Sequence, residues 1–185
     1  MRLRNSEMRF GALAQLFHWA TVALVVAIIV IGAYMTDLPL SPEKIKVYNL
    51  HKSLGVTVLA LTLLRLVWRW ISPPPPLPAT MAGWERLAAK SSHVGLYLLL
   101  FLQPAIGLVH SWSANFPVVV FGTITLPSLT GPDPALKDQL EHLHHFLGWA
   151  LCGLFLLHAG AALRHHLILK DDVLRRMLPW SRAGQ

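Results

Sequence analysis

Apolar residues gather in four long runs, approximately 11–35, 48–71, 92–112 and 144–167, separated by polar or proline-rich stretches. Each run is near or above the roughly 20 residues that a helix needs to cross a hydrocarbon core of about 30 Å. None shows the strict alternation of a membrane β-barrel strand. Lipid offers the backbone no hydrogen bonds, so the runs are expected to be helices. The pattern predicts an all-α integral membrane protein, a four-transmembrane-helix bundle, as one domain over 1–185. Ser72-Pro73-Pro74-Pro75-Pro76-Leu77-Pro78 ends the second helix and forms a stiff linker over 72–78. The segment 113–141, partly apolar through Phe116-Pro117-Val118-Val119-Val120-Phe121, is expected as a lid loop over the ends of the helices.

Composition strengthens this reading, because the chain is 54% hydrophobic and 14% charged, with a mean hydropathy of +0.50. The net charge of +7 is spread very unevenly and sets the orientation. Of the 16 Lys and Arg, Arg2, Arg4, Arg9, Arg65, Arg69, Arg86, Lys90, Arg164, Lys170, Arg175, Arg176 and Arg182 fall on one side. The other side holds Lys44, Lys46, Lys52 and Lys137. By the positive-inside rule both termini are cytoplasmic. Basic residues clustered at helix ends do not make a nucleic-acid face, so no nucleic-acid partner is expected. The first run is longer than a signal-peptide core, lacks an A-x-A exit and carries His18-Trp19, so it is expected to stay as a helix. Cys152 stands alone within the fourth run and builds neither a disulfide framework nor a thiolate metal site.

Histidine is then the residue that needs explaining, since ten are present and several lie within the apolar runs, where imidazole is costly without a partner. His144 and His158 are 14 residues apart, roughly 21 Å along a helix and about 40° short of four turns. They project from nearly one face, one near each side of the membrane. This geometry suits two stacked haems, each iron taking one axial imidazole from this helix and one from a neighbour. Depth selects the neighbours. His18 lies roughly 9–10 Å inside the cytoplasmic boundary, at the level of His158. His51, near the outer start of the second helix, lies at the level of His144.

Other residues fall where such a model needs them. Arg65, 14 residues beyond His51, reaches the inner level, where a guanidinium can pair with haem propionates; an arginine snorkelling from a cytoplasmic helix end is the competing reading. Gly32 and Gly107 open room at the outer level for a flat macrocycle, and Gly55 and Gly148 do the same one turn deeper; ordinary close helix packing is the competing reading. His93 competes with His18 as inner ligand. His142 and His145 compete with His144 but point away from the face of His158. His165 and His166 are expected at the cytoplasmic interface, and His110 near the outer end of the third helix with Trp112 in the aromatic belt.

These features resemble the prokaryotic cytochrome b561 family over nearly the whole chain. The resemblance runs through Leu16-Phe17-His18-Trp19, Asn49-Leu50-His51 with Gly55, Leu64-Arg65-Leu66, Gly95-Leu96-Tyr97 and Pro104-Ala105-Ile106-Gly107-Leu108. It continues through Leu157-His158-Ala159, Arg164-His165-His166 and Lys170-Asp171-Asp172-Val173-Leu174-Arg175-Arg176-Met177-Leu178-Pro179. It implies two b-type haems with bis-histidine ligation in the bacterial inner membrane. Onto this chain it carries His18 and His158 for the inner iron, His51 and His144 for the outer. The family often has a further histidine just before the position of His93, where this chain reads Ala89-Lys90-Ser91-Ser92.

An iron with two imidazoles has no open position for oxygen activation, so one-electron transfer is the expected work. The family includes superoxide:quinone oxidoreductases, which implies periplasmic superoxide as donor and ubiquinone as acceptor. Lys52 and Lys137, with Lys44 and Lys46, then supply a positive outer field that steers a small anion. A solvated loop balancing Asp37, Glu43, Asp133, Asp138 and Glu141 is the competing reading of those lysines. The alternative function is an electron-carrier subunit that links quinol to a redox protein partner.

Overall fold

A computed structural model describes residues 2–78 and 81–181; Arg182 lies outside the described residues. Four long helices, α1 (Ala12–Asp37), α2 (Pro42–Ile71), α3 (Gly83–Ser113) and α4 (Pro134–Arg164), run up and down in sequence. All four are long and apolar enough to cross a membrane. Their lipid-compatible surface includes Leu16, Val30, Leu64, Phe146, Trp149 and Leu157, all exposed. Such an apolar exterior is untenable in water and ordinary against hydrocarbon. Val25, Val58, Leu100 and Leu151, one from each helix, meet in the core.

The helices reach beyond the apolar runs because their ends are set by caps. Ser41 accepts a hydrogen bond from the Lys44 N–H and is followed by Pro42, so α2 begins six residues before the run at 48. Asp133 accepts from the Leu136 N–H and precedes Pro134, so α4 begins well before His144. The connection between α3 and α4 is therefore 114–133, shorter than the expected 113–141. It also contains a small antiparallel hairpin, β1 (Val118–Val120) with β2 (Ile124–Leu126), in register Val119↔Thr125. Phe121 and Gly122, both at positive φ, turn the chain between them.

The hairpin is fastened to α2 just past His51. Lys52 Nζ donates to the Pro117 carbonyl at 2.9 Å, and the Phe121 N–H donates to Ser53 Oγ at 2.9 Å. Val118, the first residue of β1, is fully buried. Trp112, expected in the aromatic belt, is instead buried at the end of α3, because the returning chain covers it.

At the opposite end both termini and the proline-rich linker interlock. Asn5 donates from its backbone to Ser72 Oγ and from its side chain to the Ser72 and Pro73 carbonyls, while its Oδ1 accepts from the Gly11 N–H. Arg9 donates to the carbonyls of Leu178 and Pro179, and Trp19 Nε1 to that of Met177. Beyond α4 the chain makes a π-helical turn, His165–Leu169, closed by Lys170 in the left-handed region. His165, expected at the cytoplasmic interface, lies at that end of α4 and is buried, with Nδ1 2.5 Å from Asp171 Oδ2.

Asn5→Ala removes three side-chain hydrogen bonds at once and is expected to loosen this end by roughly 2 kcal/mol. Faster tryptic cleavage after Arg4 and Arg9 in detergent-solubilised protein is the readout. Cleavage at the wild-type rate would show that the interlock does not depend on Asn5.

Candidate functional site

Two histidine pairs face each other between helices that do not pack closely. At the level nearer the termini, His18 on α1 faces His158 on α4 with ring centroids 6.4 Å apart and planes inclined by 63°. At the other level, His51 on α2 faces His144 on α4 with centroids 6.3 Å apart and planes inclined by 75°. Close helix–helix packing joins α1 to α2, α2 to α3 and α3 to α4. Both pairs thus span gaps rather than tight seams.

The spacing is chemically informative. With metal–imidazole bonds of about 2.0 Å, two imidazoles on opposite sides of one iron put their ring centres about 6.3 Å apart. Both pairs match that figure. His93 on α3 lies 5.4 Å from His158, closer than the trans arrangement requires, and so behaves as a neighbour of the pair. Among the described residues no group of three or more His, Cys, Asp or Glu converges as it would around a bare metal ion. His142 and His145 are exposed, whereas His144 turns inward.

The outer pair carries further marks of a ligand site. The rings of His51 and His144 are buried, each against the main chain of a neighbouring helix, at Ile28 and Gln103 respectively. A Cβ on Gly32 would sit 3.1 Å from His51 Cε1, and one on Gly107 3.0 Å from His144 Cε1. These two glycines therefore seat the imidazoles themselves. Gly55 and Gly148, expected to open space for a macrocycle, do something else. A Cβ on Gly55 would make ordinary contact with Ile28 and Pro104, and one on Gly148 would lie 3.2 Å from Gln103 Nε2. Close helix packing and the seating of one side chain account for them.

Arg65 stands at the inner level, its Nη2 3.4 Å from His18 Nδ1 and its guanidinium 5.4 Å from the centre of the Tyr97 ring. Among the described residues it has no carboxylate partner. A partly buried cation in that state is complementary to an anionic group such as a propionate. At the outer end Lys52 is tied to the hairpin and lies 6.0 Å from the centre of the Phe116 ring. Lys137 is 3.0 Å from Asp138 and 2.9 Å from Glu141, so its charge is largely balanced locally.

Gln103 escaped the sequence reading. Its Nε2 donates to the His144 carbonyl at 2.9 Å across the α3–α4 seam. An uncharged polar side chain beside Pro104 within an apolar run was the available signal.

The model of the prokaryotic cytochrome b561 family matches residues 9–180. The chain belongs to the prokaryotic cytochrome b561 family. It is 37% identical over 180 residues to cytochrome b561 homolog 2 of Escherichia coli (strain K12), covering 96% of this chain and 95% of that protein. It is 33% identical over 190 residues to cytochrome b561 homolog 1 of the same organism, covering 92% and 97%. A protein of Yersinia pestis named "Probable superoxide oxidase CybB" is 31% identical over 134 residues, covering 72% of this chain and 76% of that one. As a member of this cytochrome b561 family, the chain is a haem b-binding electron-transfer protein that crosses the bacterial inner membrane several times.

Proposed function

We propose that the chain holds two b haems, one between His18 and His158 and one between His51 and His144, and uses them to carry electrons from periplasmic superoxide to ubiquinone. The observation that carries the two-haem reading is the pair of facing imidazoles at matched depths, each at a separation that would let both rings hold one iron between them. The bound groups supply reversible one-electron chemistry.

The chain's residues orient and insulate. α4 contributes an imidazole at each level and so fixes the spacing along the electron path. Gly32 and Gly107 leave no slack beside the outer rings. Arg65 offers an anion partner on the cytoplasmic side. The hairpin, held by Lys52 and Ser53, limits water at the outer level. Each superoxide gives up one electron and leaves as dioxygen; two such electrons and two protons convert the quinone to quinol. With an imidazole on each side of the outer site, superoxide would need only to approach its edge, which a positive local field assists.

Lys52 lies one residue from His51 at that edge and has no carboxylate partner among the described residues. The name of the Yersinia pestis relative agrees with superoxide as donor. The pairing of Lys137 with Asp138 and Glu141 favours the second reading, a quinol-linked carrier subunit with a redox protein partner, because it weakens the outer positive field.

The test is stopped-flow reduction of the purified holoprotein by superoxide under anaerobic conditions. Lys52→Glu is expected to slow haem reduction about threefold or more and to flatten its salt dependence, with Lys137→Glu having the smaller effect. Rapid reduction by quinol with none by superoxide would replace the oxidase reading with the carrier.

A further inference from the structure

His18 and His158 stand on the first and last helices of a line in which close packing joins α1 to α2, α2 to α3 and α3 to α4. Three seams therefore separate them, against two between His51 and His144. The C-terminal tail supplies a direct link. At the α4 end the Asp171 N–H donates to the His165 carbonyl at 3.1 Å, and the Asp171 carboxylate meets the His165 ring and accepts from the Val173 N–H. At the α1 end the Arg176 carbonyl accepts from the Phe10 N–H and from Gln15 Nε2, both at 3.3 Å. Gln15 is 2% exposed, so its amide depends on this match. The next tail carbonyl, that of Met177, accepts from Trp19 Nε1 at 3.0 Å. Gln15, His18 and Trp19 follow one another at i, i+3 and i+4 and so share one face of α1. The Trp19 and His18 rings are 5.1 Å apart and nearly perpendicular, at 82°. The indole is thus tied to the tail by its N–H and packed against the imidazole by its ring.

We propose that residues 171–177 are a strap that sets the distance between α1 and α4 at the inner level, and that Trp19 is a positioning residue through which the strap fixes the His18 imidazole. The proposal rests on the reading of His18 and His158 as the inner haem ligands. Contacts behind a ligand orient it and tune the metal it holds, so the strap acts on one haem and leaves the other alone. A tail that merely braced the cytoplasmic end would change stability without touching either potential.

Spectropotentiometric titration of the purified, haem-loaded full chain separates these roles. Trp19→Phe keeps a ring beside His18 and loses the N–H that the Met177 carbonyl holds. It is expected to displace one midpoint potential by a threefold or larger change in reduction equilibrium, about 28 mV for one electron, with the second unmoved. Asp171→Ala releases the α4 end of the strap, thirteen residues beyond His158, and should displace the same potential. Because both variants loosen one strap, the double variant should shift that potential no further than the larger single change. Glu85→Gln is the control: it weakens the 3.0 Å Arg164–Glu85 pair at the same end but outside the strap, and should leave both potentials at wild-type values. Should the phenylalanine variant lose haem, Asp171→Ala decides by the same criterion. An unchanged potential in Asp171→Ala or in haem-loaded Trp19→Phe, equal shifts of both haems, or a matching shift in Glu85→Gln overturns the proposal. A His18→Ala protein that keeps both haems overturns its premise, and haem content reports that outcome separately from any potential.

Discussion

Purified protein with His158→Ala or His18→Ala is expected to contain one haem per chain where the wild type contains two, and His51→Ala or His144→Ala likewise one. The surviving haem differs between the two sets, so their difference spectra and potentials should be complementary. On the two-haem reading each substitution leaves a single imidazole where two would hold the iron, and affinity in such a site depends on both bonds and on the fit of the slot. His93→Ala decides between rival ligands on α3 and α1. At 5.4 Å from His158 its ring is too close for the trans arrangement that the 6.4 Å of His18 permits. The His93→Ala protein should therefore keep two haems, with at most a changed potential at the inner level. Haem content by pyridine haemochrome, normalised to protein, reads all five variants. A one-haem His93→Ala protein beside a two-haem His18→Ala protein would transfer the inner ligand to α3.

How much of this was open to inspection in the sequence follows from which quantities are one-dimensional. Depth along a helix is residue number times a fixed rise, so the levels of His18, His51, His144 and His158 could be compared before any packing was known. Angle about a helix axis is nearly as direct, and it separated His144 from His142 and His145, which are indeed exposed. Hydropathy likewise located the four spans. It could not locate their ends, because lipid contact stops where the apolar residues stop while Ser41 and Asp133 continue the helices into the polar zone. Identity of the neighbour across a seam is a property of the assembled bundle. Gly148 therefore read as room for a macrocycle when it is room for Gln103. The burial of Trp112 and His165 depends on returning chain, the hairpin connection in one case and the C-terminal tail in the other, and no periodicity reports that. Nor does the run from Phe116 to Phe121 announce that a phenylalanine takes positive φ to turn the hairpin.

Gly107→Val and Gly32→Val should each abolish the outer haem while sparing the inner one. A single Cβ at Gly107 would already stand 3.0 Å from His144 Cε1, and at Gly32 3.1 Å from His51 Cε1. Alanine at either position requires the ring to retreat by a few tenths of an ångström, which an imidazole on a rigid helix can do only by changing its tilt. Valine adds two further methyl groups against the same ring, an overpacking that costs about 1–3 kcal/mol even where neighbours can adjust. Here adjustment would displace the nitrogen on which the proposed ligation depends. The alanine variants are thus expected to retain haem with an altered potential and low-spin spectrum at one site, and the valine variants to fall to one haem. Gly160→Ala provides the control, since a Cβ there meets nothing within 4 Å. It should be indistinguishable from wild type in haem content and spectrum. The contrast separates seating of the imidazole from a general dislike of larger residues in membrane helices, because all three glycines lie in spanning helices and only two adjoin a histidine. Two haems with wild-type spectra in Gly107→Val would mean that His144 ligates from a different ring position, or does not ligate at all.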